Sequence, residues 1–416
     1  MSYIEELGIR AKNAENNIRN ITTDQKNRAL TAIAEALKNS VNKSLIITEN
    51  KKDLENAKKN GMTKAFIDRL TLTEERIEKI SESVMEIVAL ADPIDEILGG
   101  GQVRDGFNIV KKRVPLGVIG VIYESRPNVT VDAAALCLKS GNVCMLRGGS
   151  DAIYSNMCLA LFMRRALEDC GVTADCIILV EDTSREVAAD MMKLNNYIDV
   201  LIPRGGSGLI RSVVKNSTVP VLQTGEGNCH LYVDANADIG MAVRIADNAK
   251  TQRPSVCNAI ETLLVHKNAA EETLRGLYEL WKGVVTIYGD KKTSAIIPVE
   301  RIATEEDYYT EFNDYIIAIK VVKNVGEAIA HVNKYGTNHS ECIITQNYEN
   351  ARRFQQEVDA AAVYVNASTR FTDGNVFGLG AEIGISNQKL HARGPLGLRE
   401  LTSYKYLIYG NGQIRT

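Results

Sequence analysis

The chain has 416 residues, 45% of them hydrophobic and 24% charged, with a formal net charge of −3. That length exceeds what one hydrophobic core serves, so two domains are expected. Near-neutral charge with no long block of like sign argues against a nucleic-acid partner and leaves small anions held by a few placed arginines. The opening Met1-Ser2-Tyr3-Ile4-Glu5-Glu6 lacks the apolar stretch of a secretory signal. The longest apolar run, near residues 114–123, is too short to span a membrane. Eight cysteines lie scattered without a Cys-x-x-Cys pair, and the five histidines do not cluster with them. Neither a disulfide framework nor a metal site is expected, and a reducing cytoplasm is the simplest home.

Up to about residue 90 the pattern is helical. Thr71-Leu72-Thr73-Glu74 reads as a capping box, and the helix after it carries Ile77, Ile80, Val84, Ile87 and Val88 on one face. Gly99-Gly100-Gly101 reads as the end of this region, and residues 102–113 as a strand of a side hairpin. Strands are then expected at 116–123, 143–146, 176–180, 198–202 and 219–222, with helices at 129–139, 151–167, 185–194 and 207–215. Such alternation with short links implies parallel strands joined by right-handed crossovers. Continuously apolar strands imply a sheet covered on both faces.

A second alternating series follows. Its strands are expected at 230–233, 260–266, 316–322, 342–345 and 362–365, and its helices at 239–250, 269–281, 325–334 and 348–358. The apolar, aromatic stretch 401–409 is expected to add a strand to another subunit. The fold class is α/β, with two successive parallel-sheet domains. Residues 1–226 would hold the N-terminal helices and a Rossmann-like dinucleotide-binding domain. Residues 227–370 would be the catalytic domain, and 371–416 would return to the first domain and supply an oligomerisation segment.

Cys257 stands in Gln252-Arg253-Pro254-Ser255-Val256-Cys257-Asn258-Ala259, directly ahead of an apolar strand. Pro254 makes a rigid corner. A cysteine just past such a corner can present its sulfur to a cleft, where backbone N–H groups favour the thiolate. A buried, inert thiol is the competing reading. Two glycine-rich turns follow strands and open helices: Arg147-Gly148-Gly149-Ser150, and Pro203-Arg204-Gly205-Gly206-Ser207-Gly208. Glycine allows close approach of a ligand, and a helix N-terminus offers N–H groups to an anion. Neither is a true Gly-x-Gly-x-x-Gly, so a purely structural turn stays open for each.

Several segments carry a resemblance. Pro115-Leu116-Gly117-Val118-Ile119-Gly120 through Arg126-Pro127-Asn128, and Lys139-Ser140-Gly141-Asn142 through Arg147, resemble the opening strand and cofactor segment of aldehyde dehydrogenases. Tyr123 to Thr130, Gln252 to Asn258, Gly336 to Glu341, Val365 to Phe371 and His391 to Leu398 narrow the likeness to the gamma-glutamyl phosphate reductases. They span nearly the whole chain in order.

The resemblance implies NADPH-dependent reduction of L-glutamyl 5-phosphate to glutamate 5-semialdehyde, a step of proline biosynthesis. It implies a Cys257 nucleophile that forms a thioester, with the Asn128 amide and the Cys257 backbone N–H as oxyanion donors. The cofactor, NADP, would lie on Arg147, Gly148, Gly149, Ser150, Pro203, Arg204, Gly205, Gly206 and Ser207. Glu311 resembles the ligand of the nicotinamide ribose, although no Gly-Pro follows Phe312. Arg126, Arg253, Arg370 and Arg393 are candidates for the substrate's anionic groups. A homo-oligomer and functional coupling to glutamate 5-kinase are also implied.

One departure bears on the activity. Where hydrolytic aldehyde dehydrogenases carry a glutamate base, this chain aligns Gln223, which cannot act as a general base. Glu226 lies at the wrong spacing. His339 and His391 sit beside turns and read as structural. Competing functions are an aldehyde dehydrogenase linked to another acyl phosphate or to acyl-CoA, and a non-catalytic nucleotide-binding scaffold.

Overall fold

A computed structural model describes residues 2–415. The chain divides into two compact units. One runs through Gln223 and takes in Gly378–Gly384 and the chain from Leu396 onward; the other takes Thr224–Phe377 and Ile385–Pro395. The last segment, 371–416, thus returns in pieces rather than as one, because 371–377 and 385–395 pack with the second unit.

The first unit opens with α1 (Tyr3–Ile18), α2 (Thr23–Lys38), α3 (Ser40–Lys59), α4 (Lys64–Leu70) and α5 (Glu74–Ala89). Side chains at the N-caps Ser2, Thr22, Asn39, Thr63 and Thr73 accept otherwise orphaned N–H groups. The cap of α5 is Thr73, not Thr71 of the expected capping box. Thr71 is spent on the preceding helix, where its hydroxyl donates to the Ile67 carbonyl. Ile77, Ile80, Val84 and Ile87 are buried as their spacing required.

The expected hairpin starts earlier than residue 102. β1 (Ile97–Gln102) pairs antiparallel with β2 (Asn108–Pro115), so Gly99-Gly100-Gly101 lie inside a strand rather than ending the helical region. A β-carbon on Gly100 would overlap the Ile109 carbonyl of β2. The C-terminal strand Thr402–Tyr409 pairs along the other edge of β2, within the same chain, and forms an end strand of this three-stranded sheet.

β3 (Val118–Tyr123), β4 (Val143–Arg147), β5 (Ile177–Leu179) and β6 (Val200–Arg204) form a parallel sheet in the order β5-β4-β3-β6. Their crossovers carry α6 (Pro127–Lys139), α7 (Ile153–Asp169) and α8 (Arg185–Met191), and α9 (Ser207–Asn216) follows β6. The strand expected at 219–222 shrinks to one bridge between Val221 and Leu201. Pro220 has no N–H to give a ladder, although its carbonyl accepts from Leu201.

The second unit is built on seven parallel strands. In chain order they are β7 (Cys229–Val233), β8 (Ile260–His266), β9 (Thr286–Gly289), β10 (Arg301–Ile302), β11 (Ile316–Val322), β12 (Ser340–Ile344) and β13 (Ala362–Val365), arranged β10-β9-β11-β8-β7-β12-β13. The central β7 and β8 are buried along their whole length. One face packs α10 (Ile239–Thr251) and α11 (Ala270–Trp281), with Trp281 fully buried. The other packs α12 (Val325–Tyr335) and α13 (Tyr348–Glu357), where Tyr232 stacks on Phe354. Sequence periodicity missed β9 and β10, which are only four and two residues long.

Candidate active site

In the second unit, α10 ends at Thr251 and β8 begins at Ile260, so Cys257 sits on the turn that feeds a buried central strand. Parallel sheets place functional groups on such loops because the strands on either side are rigid. The turn is tied down from several sides. At its base, Lys250 and Glu261 form a fully buried ion pair at 2.5 Å. Burial pushes Lys250 down and Glu261 up, to about 7, each against the pull of its partner. The second Glu261 oxygen accepts the Asn313 N–H at 3.0 Å.

Asn258 donates to the carbonyls of Thr372 (2.9 Å) and Arg370 (3.3 Å), while the Thr369 hydroxyl donates to the Asn258 carbonyl at 2.6 Å. Gly227 packs against the turn so closely that a β-carbon there would overlap the Cys257 carbonyl oxygen. The Gly227 N–H donates to Glu311 at 2.7 Å. The Cys229 thiol lies 3.1 Å from the Cys257 carbonyl.

Cys257 is half-buried, whereas six of the other seven cysteines are buried. Burial pushes the thiols of Cys144 and Cys229 up, away from the reactive form, and those of Cys158 to about 11 and of Cys176 and Cys342 to about 12. The structure therefore brings Cys257, Arg370 and Glu311 into one cluster. Arg370 Nε donates to Gln252 at 2.9 Å. Arg253 is exposed on the same turn. Arg393 pairs with Asp359 at 2.9 Å and keeps Nε and Nη2 buried without a partner among the described residues. Buried guanidinium donors left open suit an anion brought by a ligand. His339 is buried, bonded to Ser340 at 2.8 Å, and His391 holds a left-handed turn at φ 69°.

The first unit holds the remaining site residues. Arg147 ends β4, and its Nη2 donates to the carbonyls of Thr183 (2.5 Å) and Ser184 (3.1 Å). Arg204 ends β6 on the same sheet edge. Nε of each arginine is buried with no partner among the described residues. Gly148-Gly149 leads into a short turn at 150–152 and then α7, and Gly205-Gly206 into α9. Neither Ala152 nor Gly206, the N-caps of α7 and α9, brings a side chain to cap its helix. The first turn of α7 is already taken, since Asp53 accepts the N–H groups of Tyr154 (3.3 Å) and Ser155 (2.8 Å), so the start of α9 and the two arginines with unspent donors are what fit the phosphates of a dinucleotide. Glu124 accepts the Gly206 N–H at 2.8 Å. Arg126 occupies the N-cap position of α6 without a side-chain capping bond, and Asn128 Nδ2 donates to Asp132 at 3.0 Å. Gln223 is the last residue of this unit before Thr224. A separate cavity of about 810 Å³, lined by Tyr3, Leu45, Tyr154 and Leu161 among others, contains none of the residues singled out from the sequence.

The sequence model of the aldehyde dehydrogenase family matches residues 3–311. The chain belongs to the aldehyde dehydrogenase family. It is 56% identical to the gamma-glutamyl phosphate reductase of Carboxydothermus hydrogenoformans over 416 residues, all of both chains. It is 55% identical over the same full length to that of Clostridium beijerinckii. Among solved structures, gamma-glutamyl phosphate reductase from Thermotoga maritima is similar at a TM-score of 0.97 and 48% identity, covering 100% of each chain. The two successive α/β units expected from the sequence are thus those of this family.

Sequence reasoning missed Gly227, Cys229, the Lys250–Glu261 pair and Asp132. Gly225-Glu226-Gly227 held a signal, since paired glycines ahead of a strand announce close backbone approach. Lys250 and Glu261 lie eleven apart on different elements, and no periodic pattern links them.

Proposed function

We infer that this enzyme reduces L-glutamyl 5-phosphate to L-glutamate 5-semialdehyde and phosphate, using NADPH, through a thioester on Cys257. The full-length likeness to gamma-glutamyl phosphate reductases at 56% identity carries this reading. The cysteine turn supplies its chemistry. The Cys257 thiolate attacks the acyl carbon, the acyl–oxygen bond to phosphate breaks, and phosphate leaves with that electron pair. When bound, the nicotinamide supplies the hydride that a thioester, unlike a carboxylate, can accept. The carbonyl then re-forms as the carbon–sulfur bond breaks, returning the thiolate.

The chain's own residues hold and polarise. The Asn128 amide and the Cys257 N–H are the proposed donors to the tetrahedral oxyanion. Arg147, Arg204, the Gly148-Gly149-Ser150 turn and the start of α9 are proposed to hold the dinucleotide, with Glu311 on its ribose. Glu311 is already fixed by the Gly227 N–H, which supports a placed carboxylate rather than a mobile one. Arg370 and Arg393 are the favoured anchors for substrate anions, with Arg126 and Arg253 as further candidates. Gln223 in place of a base favours phosphate over water as the thioester acceptor in the oxidative direction. Preference for NADP over NAD, coupling to the kinase that makes the acyl phosphate, and a homo-oligomer built on the exposed three-stranded sheet belong to this proposal.

The test is an oxidative assay with glutamate 5-semialdehyde and NADP, titrating phosphate against CoA. NADPH formation that requires phosphate is the expected outcome. Formation with CoA alone would replace this reading with an acyl-CoA-linked one.

A further inference from the structure

Asn128 and Asp132 stand one turn apart on α6, joined by the 3.0 Å hydrogen bond from Asn128 Nδ2 to Asp132 Oδ2. Pro127 occupies the first position of the helix, and no side chain caps it, so the Asn128 amide is not diverted to capping. Asp132 is half-buried. Among the described residues it has no ion-pair partner. Burial pushes its carboxyl up, to about 6, against the Asn128 amide and the nearby Arg204 charge. A polar pair at this spacing adds little to a helix, and desolvating a carboxylate opposes folding. Helix stability does not account for the pair.

An amide side chain has two nearly isosteric orientations, differing in which end presents oxygen and which nitrogen. An ionised carboxylate only accepts hydrogen bonds. Beside Asp132, therefore, the amide must turn its nitrogen inward, giving one N–H to the carboxylate and keeping the second to donate elsewhere. We propose that Asp132 is a positioning residue whose carboxylate selects the amide orientation in which Asn128 serves as an oxyanion donor. This rests on the reading of Asn128 given above. Asp132 touches no reacting atom; it acts through Asn128.

A double-mutant cycle tests it in the phosphate-dependent oxidative assay. Asn128→Ala lowers kcat by about a hundredfold or more. Asp132→Leu lowers kcat by about tenfold while KM for the aldehyde stays within about threefold. Its melting temperature is equal to or above the wild type's, since a partly desolvated carboxylate has been removed. Asp132→Asn, which restores an acceptor, recovers most of the lost kcat. Asn128→Ala with Asp132→Leu is no worse than Asn128→Ala alone. Asp132→Ala repeats the cycle should the larger side chain disturb packing. Additive losses, or wild-type kcat in Asp132→Leu beside a crippled Asn128→Ala, would overturn the proposal and leave the oxyanion reading standing. So would a loss in Asp132→Asn as deep as in Asp132→Leu. Wild-type kcat in Asn128→Ala would remove the oxyanion reading itself, and the positioning role with it.

Discussion

Gly227 stands so close to Cys257 that a β-carbon on the glycine would overlap the cysteine's carbonyl oxygen. Backbone, not a flexible side chain, occupies that space, so Gly227→Ala must move the turn that carries the sulfur. Misplacing a reacting group by about 1 Å can cost about a hundredfold in rate. The variant is expected to lose activity on that order, with stability lower by about 1–3 kcal/mol. Turnover near wild type would show that the Cys257 turn tolerates displacement.

Cys229 provides the control. It is buried, and its thiol meets the Cys257 carbonyl at 3.1 Å. Cys257→Ser should abolish turnover in a folded protein. Cys229→Ser keeps a donor in the same place and should retain activity within about tenfold. Reversal of that order, measured as kcat with circular dichroism as the check on folding, would assign the nucleophile wrongly.

Arg147→Ala should raise KM for NADP more than it lowers kcat, because a contact made equally in ground and transition states affects binding alone. A pure kcat loss would place Arg147 in the chemistry. Arg393→Ala should raise KM for the acyl substrate, since two of its buried nitrogens have no partner among the described residues.

Much of this was legible in the sequence, for reasons that differ by element. Ile260–His266 and Ala362–Val365 were read to the residue because both are short runs rich in apolar and β-branched residues bounded by turn residues, the first buried and the second half-buried at the end of its sheet. Cys257 stood out through Pro254 and the strand after it. Gly99-Gly100-Gly101 misled, because a glycine run marks either a break or a strand pressed on a neighbour, and only the partner Ile109 decides. Asp132 looked like any polar helix residue. Its meaning comes from where α6 lies against the sheet, which local pattern does not encode.

Asp307 gives a pH dependence. It accepts both Arg301 nitrogens (2.6 and 2.7 Å) and the Thr304 N–H (2.6 Å), just ahead of Glu311. The Arg301 contact, with the Thr304 bonds, holds its carboxyl down at about 2. A depressed carboxylate stabilises the fold above its unfolded pKa near 4 and loses that contribution as pH falls toward 2. With Arg301 half-exposed and screened, the effect is on the order of 1 kcal/mol. Urea unfolding should therefore show Asp307→Asn less stable than wild type at pH 7, with the gap closing between about pH 4 and pH 2. A gap unchanged down to pH 2 would refute the assignment.

The central claim is that one sulfur becomes acylated during turnover. The direct measurement is intact-protein mass followed by peptide mapping after mixing the enzyme with glutamate 5-semialdehyde and NADP in the absence of phosphate. The account predicts an acyl adduct on the peptide bearing Cys257, discharged when phosphate is added. No adduct, or an adduct on any other residue, would contradict it.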